Sequence, residues 1–279
     1  MYRALATGAI GVNVSFEEQV RLAAVYGFQG IGVGMAEVER LGLNTVRDLL
    51  ARNHLLPAVT GIPVNFREDD AAFEKDMAAL PTFVRTMTDL GCTRATTWIM
   101  PVLKDKTYTE AFEQLRSRTA RICDVIAPFG MRYGLEFVGP GTIRAGKAEF
   151  IHDQKGMLEL IQAVGAPNLG LLLDCFHWYT SHGTPADLAQ LTDQLIVLVH
   201  VNDAIAGRTP DEQIDNQRAM PGETGVIDIA AFMRALQRMN YTGPLEVEPF
   251  CPWLGKLSPD EAVQKTAQSL DKIWAIAGL

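Results

Sequence analysis

Four apolar runs in the second half of the chain end close to residue types that bind metal ions. The runs "RYGLEF", "LGLLLD", "LIVLVHVND" and "PLEVEPF" supply Glu136, Asp174, His200 and Glu248. Three carboxylates held together suppress one another's ionisation, and a divalent cation removes that conflict. We therefore predict that these four side chains bind one divalent metal. A set of oxygen ligands with one imidazole favours Mn²⁺, with Mg²⁺, Co²⁺ or Zn²⁺ as alternatives, and we expect no organic cofactor.

Each of these residues, taken singly, has an ordinary structural explanation. An acidic residue after a strand most often caps a turn or a helix. A single histidine packs in a core more often than it binds a metal. The metal-site interpretation depends on four successive strands that end alike, in a fold that brings strand ends together.

The elements that must position these residues alternate regularly along the chain. Longer amphipathic stretches separate eight apolar runs: Tyr2–Gly8, Gln29–Gly34, Leu56–Pro63, Thr93–Met100, Arg132–Gly139, Leu169–Asp174, Leu195–Asp203 and Pro244–Phe250. Strands alternating with helices predict an α/β fold, a single (β/α)8 TIM barrel that spans residues 1–279 as one catalytic domain. A doubly wound open sheet is the structural alternative, but no GxGxxG follows the first strand. Pro81 predicts a kink or a break in the helix that contains it.

Composition and charge exclude several classes of function. The chain has 279 residues, 48% of them hydrophobic, with a net charge of −8. An acidic protein disfavours a nucleic-acid partner, because phosphates require clustered Lys and Arg. No run approaches the roughly 18 apolar residues of a membrane span. The four cysteines are scattered without a CxxC pair, as in a cytoplasmic enzyme with reduced thiols. The sequence leaves open whether the chain forms a homo-oligomer.

Further polar and aromatic residues lie near the predicted strand ends, where a barrel enzyme has its active site. His177 follows Asp174 by three residues, and Arg218 lies in the loop after the seventh strand. We predict that both bind substrate oxygens, and that Trp98 forms a wall of the substrate site. Trp98 has rim or core packing as an equal alternative. Asp203 follows His200 by three residues, and we predict that it orients a metal ligand.

Five segments together resemble a known family. "GLEFVGP", "LGLLLDCFHWY", "VLVHVNDA", "RAMPGETGVIDIAAFMRAL" and "YTGPLEVEPF" are similar to the successive signatures of the xylose-isomerase-like sugar phosphate isomerase/epimerase superfamily. Within it, the inosose (2-keto-myo-inositol) isomerase branch of inositol catabolism is most similar. The resemblance implies a (β/α)8 barrel with one divalent metal bound by the four residues above. It also implies that Glu248, rather than Glu246, is the ligand from the last strand, and it leaves the role of Glu246 open.

The resemblance and the residues together predict an isomerase or epimerase of a ketose or a cyclic polyol ketone. The expected reaction passes through an enediolate, with Glu136 and Glu248 as the catalytic acid and base. A dehydratase of an inosose or of a dehydroshikimate-like substrate is the first alternative, since the same enolate can expel a β-hydroxyl. A non-catalytic sugar-binding barrel is the second alternative. A DNA-repair endonuclease is disfavoured, because that branch of the superfamily needs extra histidines for a zinc cluster and this chain has only five histidines.

Overall fold

Eight parallel strands close into a barrel in the order of the chain. The computed structural model describes residues 1–67 and 69–279. Its strands are Tyr2–Leu5 (β1), Gly30–Gly32 (β2), Leu56–Gly61 (β3), Arg94–Trp98 (β4), Arg132–Glu136 (β5), Leu169–Asp174 (β6), Ile196–Val201 (β7) and Pro244–Val247 (β8). The predicted (β/α)8 fold is therefore confirmed. Most of the predicted strands extend past the observed ends into loops at the carboxyl edge of the barrel.

Helices surround the barrel. They are Phe16–Val25 (α1), Met35–Leu41 (α2), Leu43–Arg52 (α3), Asp70–Asp89 (α4), Tyr108–Ile126 (α5), Gly141–Arg144 (α6), Gln154–Val164 (α7), Cys175–Thr180 (α8), Pro185–Leu188 (α9), Ile229–Arg238 (α10) and Pro259–Ala277 (α11). Local signals set several of their ends. Thr107 and Ser258 form capping boxes with the glutamates three residues later, and Gly278 ends α11 in the left-handed conformation.

The predicted break at Pro81 is wrong, because α4 runs without interruption from Asp70 to Asp89. A proline inside a helix removes one backbone hydrogen bond and costs about 3 kcal/mol. The apolar face of α4 offsets that cost. Phe73, Leu80 and Val84 on this face are almost completely buried against the barrel, and burying a side chain of this size stabilises the fold by about 2 kcal/mol.

The strands of the barrel are apolar on both faces, because helices cover the outside and side chains fill the inside. Strand β6 shows this directly. Leu171 and Leu173 belong to the large outer core, whereas Leu172 packs inside the barrel with Val59 and Leu198. Since side chains alternate along a strand, Asp174 lies on the same face as Leu172. The leucines of β6 thus direct Asp174 into the barrel.

No helix within residues 1–67 and 69–279 has both the length and the apolar character that a membrane crossing requires. All four cysteines are buried and free.

Candidate metal centre

Four side chains from four adjacent strands meet at the carboxyl end of the barrel. Each of Glu136, Asp174, His200 and Glu248 offers one ligand atom, and these atoms all lie within 4.8 Å of one another. The strand register explains this convergence, because Asp174 on β6 lies directly opposite His200 on β7. Glu136 ends β5, and Glu248 directly follows β8. The structure therefore brings the four predicted ligands together.

Two atoms of this cluster have no hydrogen-bond partner among the described residues. Glu136 Oε1 and His200 Nδ1 are both buried and both unpaired, and the two atoms lie 3.7 Å apart. His200 Nδ1 also lies 3.4 Å from Glu248 Oε2. A buried polar atom without a partner costs about 1–3 kcal/mol. Three carboxylates and one imidazole nitrogen with free lone pairs fit a divalent cation, which would satisfy those atoms.

The charges in the cluster shift the pKa values of its two glutamates in opposite directions. Burial, and next the charge of Glu248, raise the pKa of Glu136 well above its ordinary value. Burial also acts to raise the pKa of Glu248, but His200 and Arg218 outweigh burial and lower this pKa. Burial acts to lower the pKa of His200, yet Glu248 and the neighbouring carboxylates together raise it well above the ordinary value. Two carboxyl groups with separated pKa values are typical of sites that transfer protons.

Asp174 has two roles in the structure. Its Oδ1 accepts hydrogen bonds from the backbone N–H of Phe176 at 2.7 Å and from Asn202 Nδ2 at 3.0 Å. The first bond caps α8, as the ordinary explanation of an acid after a strand requires. Its Oδ2 accepts a bond from Arg218 Nη1 at 2.6 Å and lies 4.0 Å from His177 Nε2. The cap thus fixes a carboxylate that is also one of the four candidate ligands.

Arg218 contacts the ligand carboxylates directly. Its Nη1 donates to Asp174 Oδ2 at 2.6 Å and to Glu248 Oε2 at 3.1 Å, and its Nη2 donates to Asp215 at 2.9 Å. The residue is 3% exposed. Burial acts to lower the pKa of Arg218, but the carboxylates of Asp174, Glu248 and Asp215 raise it. The guanidinium therefore neutralises part of the cluster's negative charge and fixes two of its carboxylates.

His177 also faces the cluster. The backbone N–H of Gly139 donates to His177 Nδ1 at 3.2 Å, and burial lowers the pKa of His177. His177 Nε2 lies 3.3 Å from Arg218 Nη2, 3.8 Å from Glu136 Oε1 and 4.0 Å from Asp174 Oδ2. The imidazole is therefore in contact with Arg218 and faces the carboxylates of the cluster.

Asp203 was predicted to orient a metal ligand, but its carboxylate bonds to the loop after β7 and not to His200. Its two carboxylate oxygens accept hydrogen bonds from the backbone N–H groups of Ala204, Thr224, Gly225 and Ile227. Asp203 also pairs with Ala219 through backbone hydrogen bonds. The reason is that β7 ends at Val201, so the chain has already left the barrel at Asp203. Asp203 holds the loop of residues 204–227, which carries Arg218.

Asn202 occupies the place that we predicted for Asp203. Its Nδ2 donates to Asp174 Oδ1 at 3.0 Å and to the backbone oxygen of Glu248 at 3.2 Å. Sequence reasoning missed this residue. The signal was present, because Asn202 follows His200 by two positions and strand alternation places both on one face.

Trp98 lies at the mouth of the barrel. It ends β4 opposite Glu136 in the strand register, and 45% of its surface is exposed. The guanidinium of Arg67 lies 4.2 Å from the centre of its ring and also donates to its backbone oxygen. Trp98 thus packs at the rim beside the four candidate ligands, and it is not among the residues that line the cavity described next.

A cavity of about 430 Å³ opens beside the cluster. One wall is formed by His200, Glu246 and Glu248. The rest of the lining comes from β1 to β4, α1, α2 and the connecting loops, and its polar side chains are Thr7, Gln19, Glu37, Thr60 and Thr96. The sequence did not identify these five residues, because their types form no metal-ligating pattern. The cavity lies where a small polar molecule would contact the metal ligands.

The fold and the site together define a (β/α)8 barrel with a candidate metal centre at the carboxyl ends of its strands. The chain belongs to the xylose isomerase-like TIM barrel family, whose family model matches residues 20–273.

Two curated relatives illustrate the activities named in this family. An inosose isomerase from Bacillus velezensis is 23% identical over 275 residues, which cover 94% of this chain and 92% of that protein. A 3-dehydroshikimate dehydratase from Pseudomonas aeruginosa is 33% identical over 93 residues, which cover 33% of this chain and 14% of the dehydratase. The isomerase therefore matches nearly the whole barrel, and the dehydratase matches only a part of it.

Two solved structures share the fold. A xylose isomerase domain protein from Alicyclobacillus acidocaldarius superimposes with a TM-score of 0.89 at 29% identity, covering 100% of both chains. The IOLI protein with a bound zinc atom superimposes with a TM-score of 0.84 at 20% identity, covering 98% of both chains. These likenesses agree with the barrel described above.

Proposed function

We propose that the protein is a metal-dependent isomerase or epimerase of a ketose or a cyclic polyol ketone of the inosose type. One observation carries the proposal: four predicted ligand side chains converge within 4.8 Å beside a cavity of about 430 Å³. The names of relatives that match most of the chain support a sugar isomerase. An enediolate intermediate accounts for the presence of proton-transferring carboxyl groups beside this cavity.

Glu136, Asp174, His200 and Glu248 would hold one divalent cation. Mn²⁺ is our first choice, with Mg²⁺, Co²⁺ and Zn²⁺ as alternatives, because oxygen ligands dominate the set. When bound, the ion would act as a Lewis acid that polarises a carbonyl oxygen and stabilises negative charge on the substrate.

The side chains of the protein supply the proton transfers. Glu136 and Glu248 come from β5 and β8, so they reach the substrate from two directions. For an epimerisation, one carboxylate removes the proton from the carbon beside the carbonyl and the other returns a proton on the opposite face. A 1,2-isomerisation requires only one of them.

His177, Arg218 and Trp98 would position the substrate. The imidazole of His177 faces the cluster and would contact a substrate hydroxyl. Arg218 would act chiefly by fixing Asp174 and Glu248, since its guanidinium already bonds both carboxylates. The exposed ring of Trp98 would cover the apolar face of a sugar or cyclitol at the mouth of the barrel.

A dehydratase acting on an inosose is the second candidate, because the same cavity and the same carboxylates could direct an enolate to expel a β-hydroxyl. The partial match to a dehydroshikimate dehydratase favours keeping this candidate. A binding protein without catalysis is the third candidate, and turnover of any ketone by the metal-loaded protein would exclude it.

Glu136→Gln and Glu248→Gln test the proposed acid and base. We expect each variant to lose at least about 100-fold in kcat with an inosose, because general acid or base catalysis contributes that much. Glu113→Gln on the exposed side of α5 is the matched control and should keep full activity, since Glu113 pairs with Arg116 on the surface. A Glu136→Gln or Glu248→Gln protein with both bound metal and full turnover would refute the assignment.

A further inference from the structure

A fourth carboxylate, that of Glu246, lies inside the barrel beside the cluster. Glu246 on β8 is 3% exposed and lies directly opposite His200 on β7 in the strand register. It comes two residues before Glu248, so the two side chains point to the same face of β8. Burying an additional acid beside three carboxylates is unfavourable unless it has a specific partner.

The partner of Glu246 is the side of the His200 ring that faces away from the cluster. Glu246 Oε2 lies 3.6 Å from His200 Nε2. The other nitrogen, His200 Nδ1, lies 3.4 Å from Glu248 Oε2 and 3.7 Å from Glu136 Oε1. The imidazole thus stands between Glu246 on one side and the metal-ligating carboxylates on the other.

The protonation of a metal-binding histidine explains why a carboxylate would lie on the far side of the ring. A nitrogen that binds a metal carries no proton, so the other ring nitrogen carries it and requires an acceptor. The apolar side chains of Val59, Leu172 and Leu198 form a cluster inside the barrel, and they cannot accept a hydrogen bond. Glu246 is the carboxylate placed to accept from Nε2.

We infer that Glu246 is a positioning residue for His200, which holds the ring with Nδ1 toward the cation. The inference rests on the metal centre of the proposed function. His200 Nε2 and Glu246 Oε2 lie 3.6 Å apart, and a small rotation of either side chain brings them within hydrogen-bond distance. Such contacts often tighten when a ligand binds in the site. The bond would fix both the tautomer and the orientation of the imidazole.

Two measurements on the intact protein loaded with Zn²⁺ test this role without an assay of activity. Nitrogen-15 NMR of labelled histidine reports which ring nitrogen binds the ion and which carries the proton. Competition with a chromophoric chelator gives the Kd for Zn²⁺. In the unaltered protein we expect Nδ1 to be bound to zinc and Nε2 to be protonated, with the Nε2 proton protected from exchange with water.

Three variants separate positioning from charge and from folding. Glu246→Leu should weaken zinc binding about 10- to 100-fold, the usual effect of removing a partner of a metal-binding histidine. Glu246→Gln should retain most of the affinity, because the amide oxygen still accepts from Nε2–H. Glu37→Leu removes a different carboxylate from the same cavity, and it should change zinc affinity less than Glu246→Leu does.

Three results would overturn the inference. The first is zinc bound at Nε2 of His200 in the unaltered protein. This measurement does not depend on whether any variant folds. The second is a Glu246→Leu protein with unchanged zinc affinity and an unchanged histidine spectrum, which would leave the metal centre itself in place. The third is an unaltered protein that binds no divalent ion, which would overturn the metal centre together with this inference.

Discussion

Asp174 shows what single residues in the sequence can and cannot tell. A helix cap and a metal ligand were alternative explanations for this acid, and the structure shows that it caps α8 through Oδ1 and also belongs to the group of four candidate ligands. The two roles use different lone pairs, so neither excludes the other. Composition and spacing could not show this, because the direction of each oxygen depends on Asn202 and Arg218, which come from elsewhere in the chain.

Asp203 gives the sharpest prediction at the residue scale. Its carboxylate accepts four backbone N–H groups of the loop after β7. Asp203→Ala should lower the free energy of unfolding by about 3 kcal/mol, since a hydrogen bond to a charged group contributes about 1.5–3 kcal/mol and several are lost together. Urea denaturation followed by circular dichroism measures the change.

Asp228→Ala is the matched control for Asp203→Ala. Asp228 caps α10 through a single bond to the N–H of Ala231, and removing such a cap costs about 1 kcal/mol. Equal effects of the two substitutions would contradict the role that we give to Asp203 in holding the loop.

Among the elements, the buried strands were the most predictable and the strand ends the least. The observed β6 has the predicted bounds. An unbroken apolar run that ends in an acid marks both ends of the strand clearly. The predicted first strand extended to Gly8, whereas β1 ends at Leu5 and the next residues line the cavity. The residues after β1 include small apolar side chains that form part of the cavity wall. Hydrophobicity alone therefore does not distinguish this loop from a strand.

Gly134 in β5 carries a prediction about the packing of the strands. A Cβ at this position would lie 2.9 Å from Val197 Cβ and 3.1 Å from the backbone nitrogen of Leu172. Gly134→Ala should therefore destabilise the protein by about 1–3 kcal/mol, as overpacking of a core does. It should also lower metal affinity, because β5 places Glu136 two residues later. Thermal unfolding and a metal titration measure the two effects.

Gly61→Ala at the end of β3 is the control for Gly134→Ala, since a Cβ there would meet no atom within 4 Å. A Gly134→Ala protein as stable as Gly61→Ala would show that the interior of the barrel is looser than described.

At the scale of the whole molecule, the order of strands followed from the alternation of elements, but the cavity did not. Closure of the barrel pairs β1 with β8, and only this closure places Thr7, Gln19 and Glu37 in one cavity with His200. Those residue types are common on any surface, so their spacing in the sequence carries no signal. The ligands from β5 to β8 were predictable because metal-binding residue types recurred at four successive strand ends.

Metal binding should stabilise the folded molecule as a whole, because the four ligands come from four strands of one barrel. A divalent ion at 100 times its Kd adds about 2.7 kcal/mol to the free energy of unfolding. In a chain of this size that corresponds to a rise in Tm of about 5 °C. Differential scanning fluorimetry with Mn²⁺, Mg²⁺, Co²⁺ and Zn²⁺ after chelator treatment measures it. Glu136→Ala should show no such rise, and an unchanged Tm with all four ions would contradict the metal site.

The most direct test of the proposed function is the fate of the proton beside the carbonyl. The Mn²⁺-loaded protein is incubated with a neutral inosose in D2O, and the products are analysed by NMR and ultraviolet absorbance. We predict an isomeric inosose with deuterium bound to carbon, formed with metal and lost with chelator or with Glu248→Gln. An enone absorbance without an isomeric product would identify a dehydratase, and an unchanged inosose without deuterium would contradict catalysis of this proton transfer.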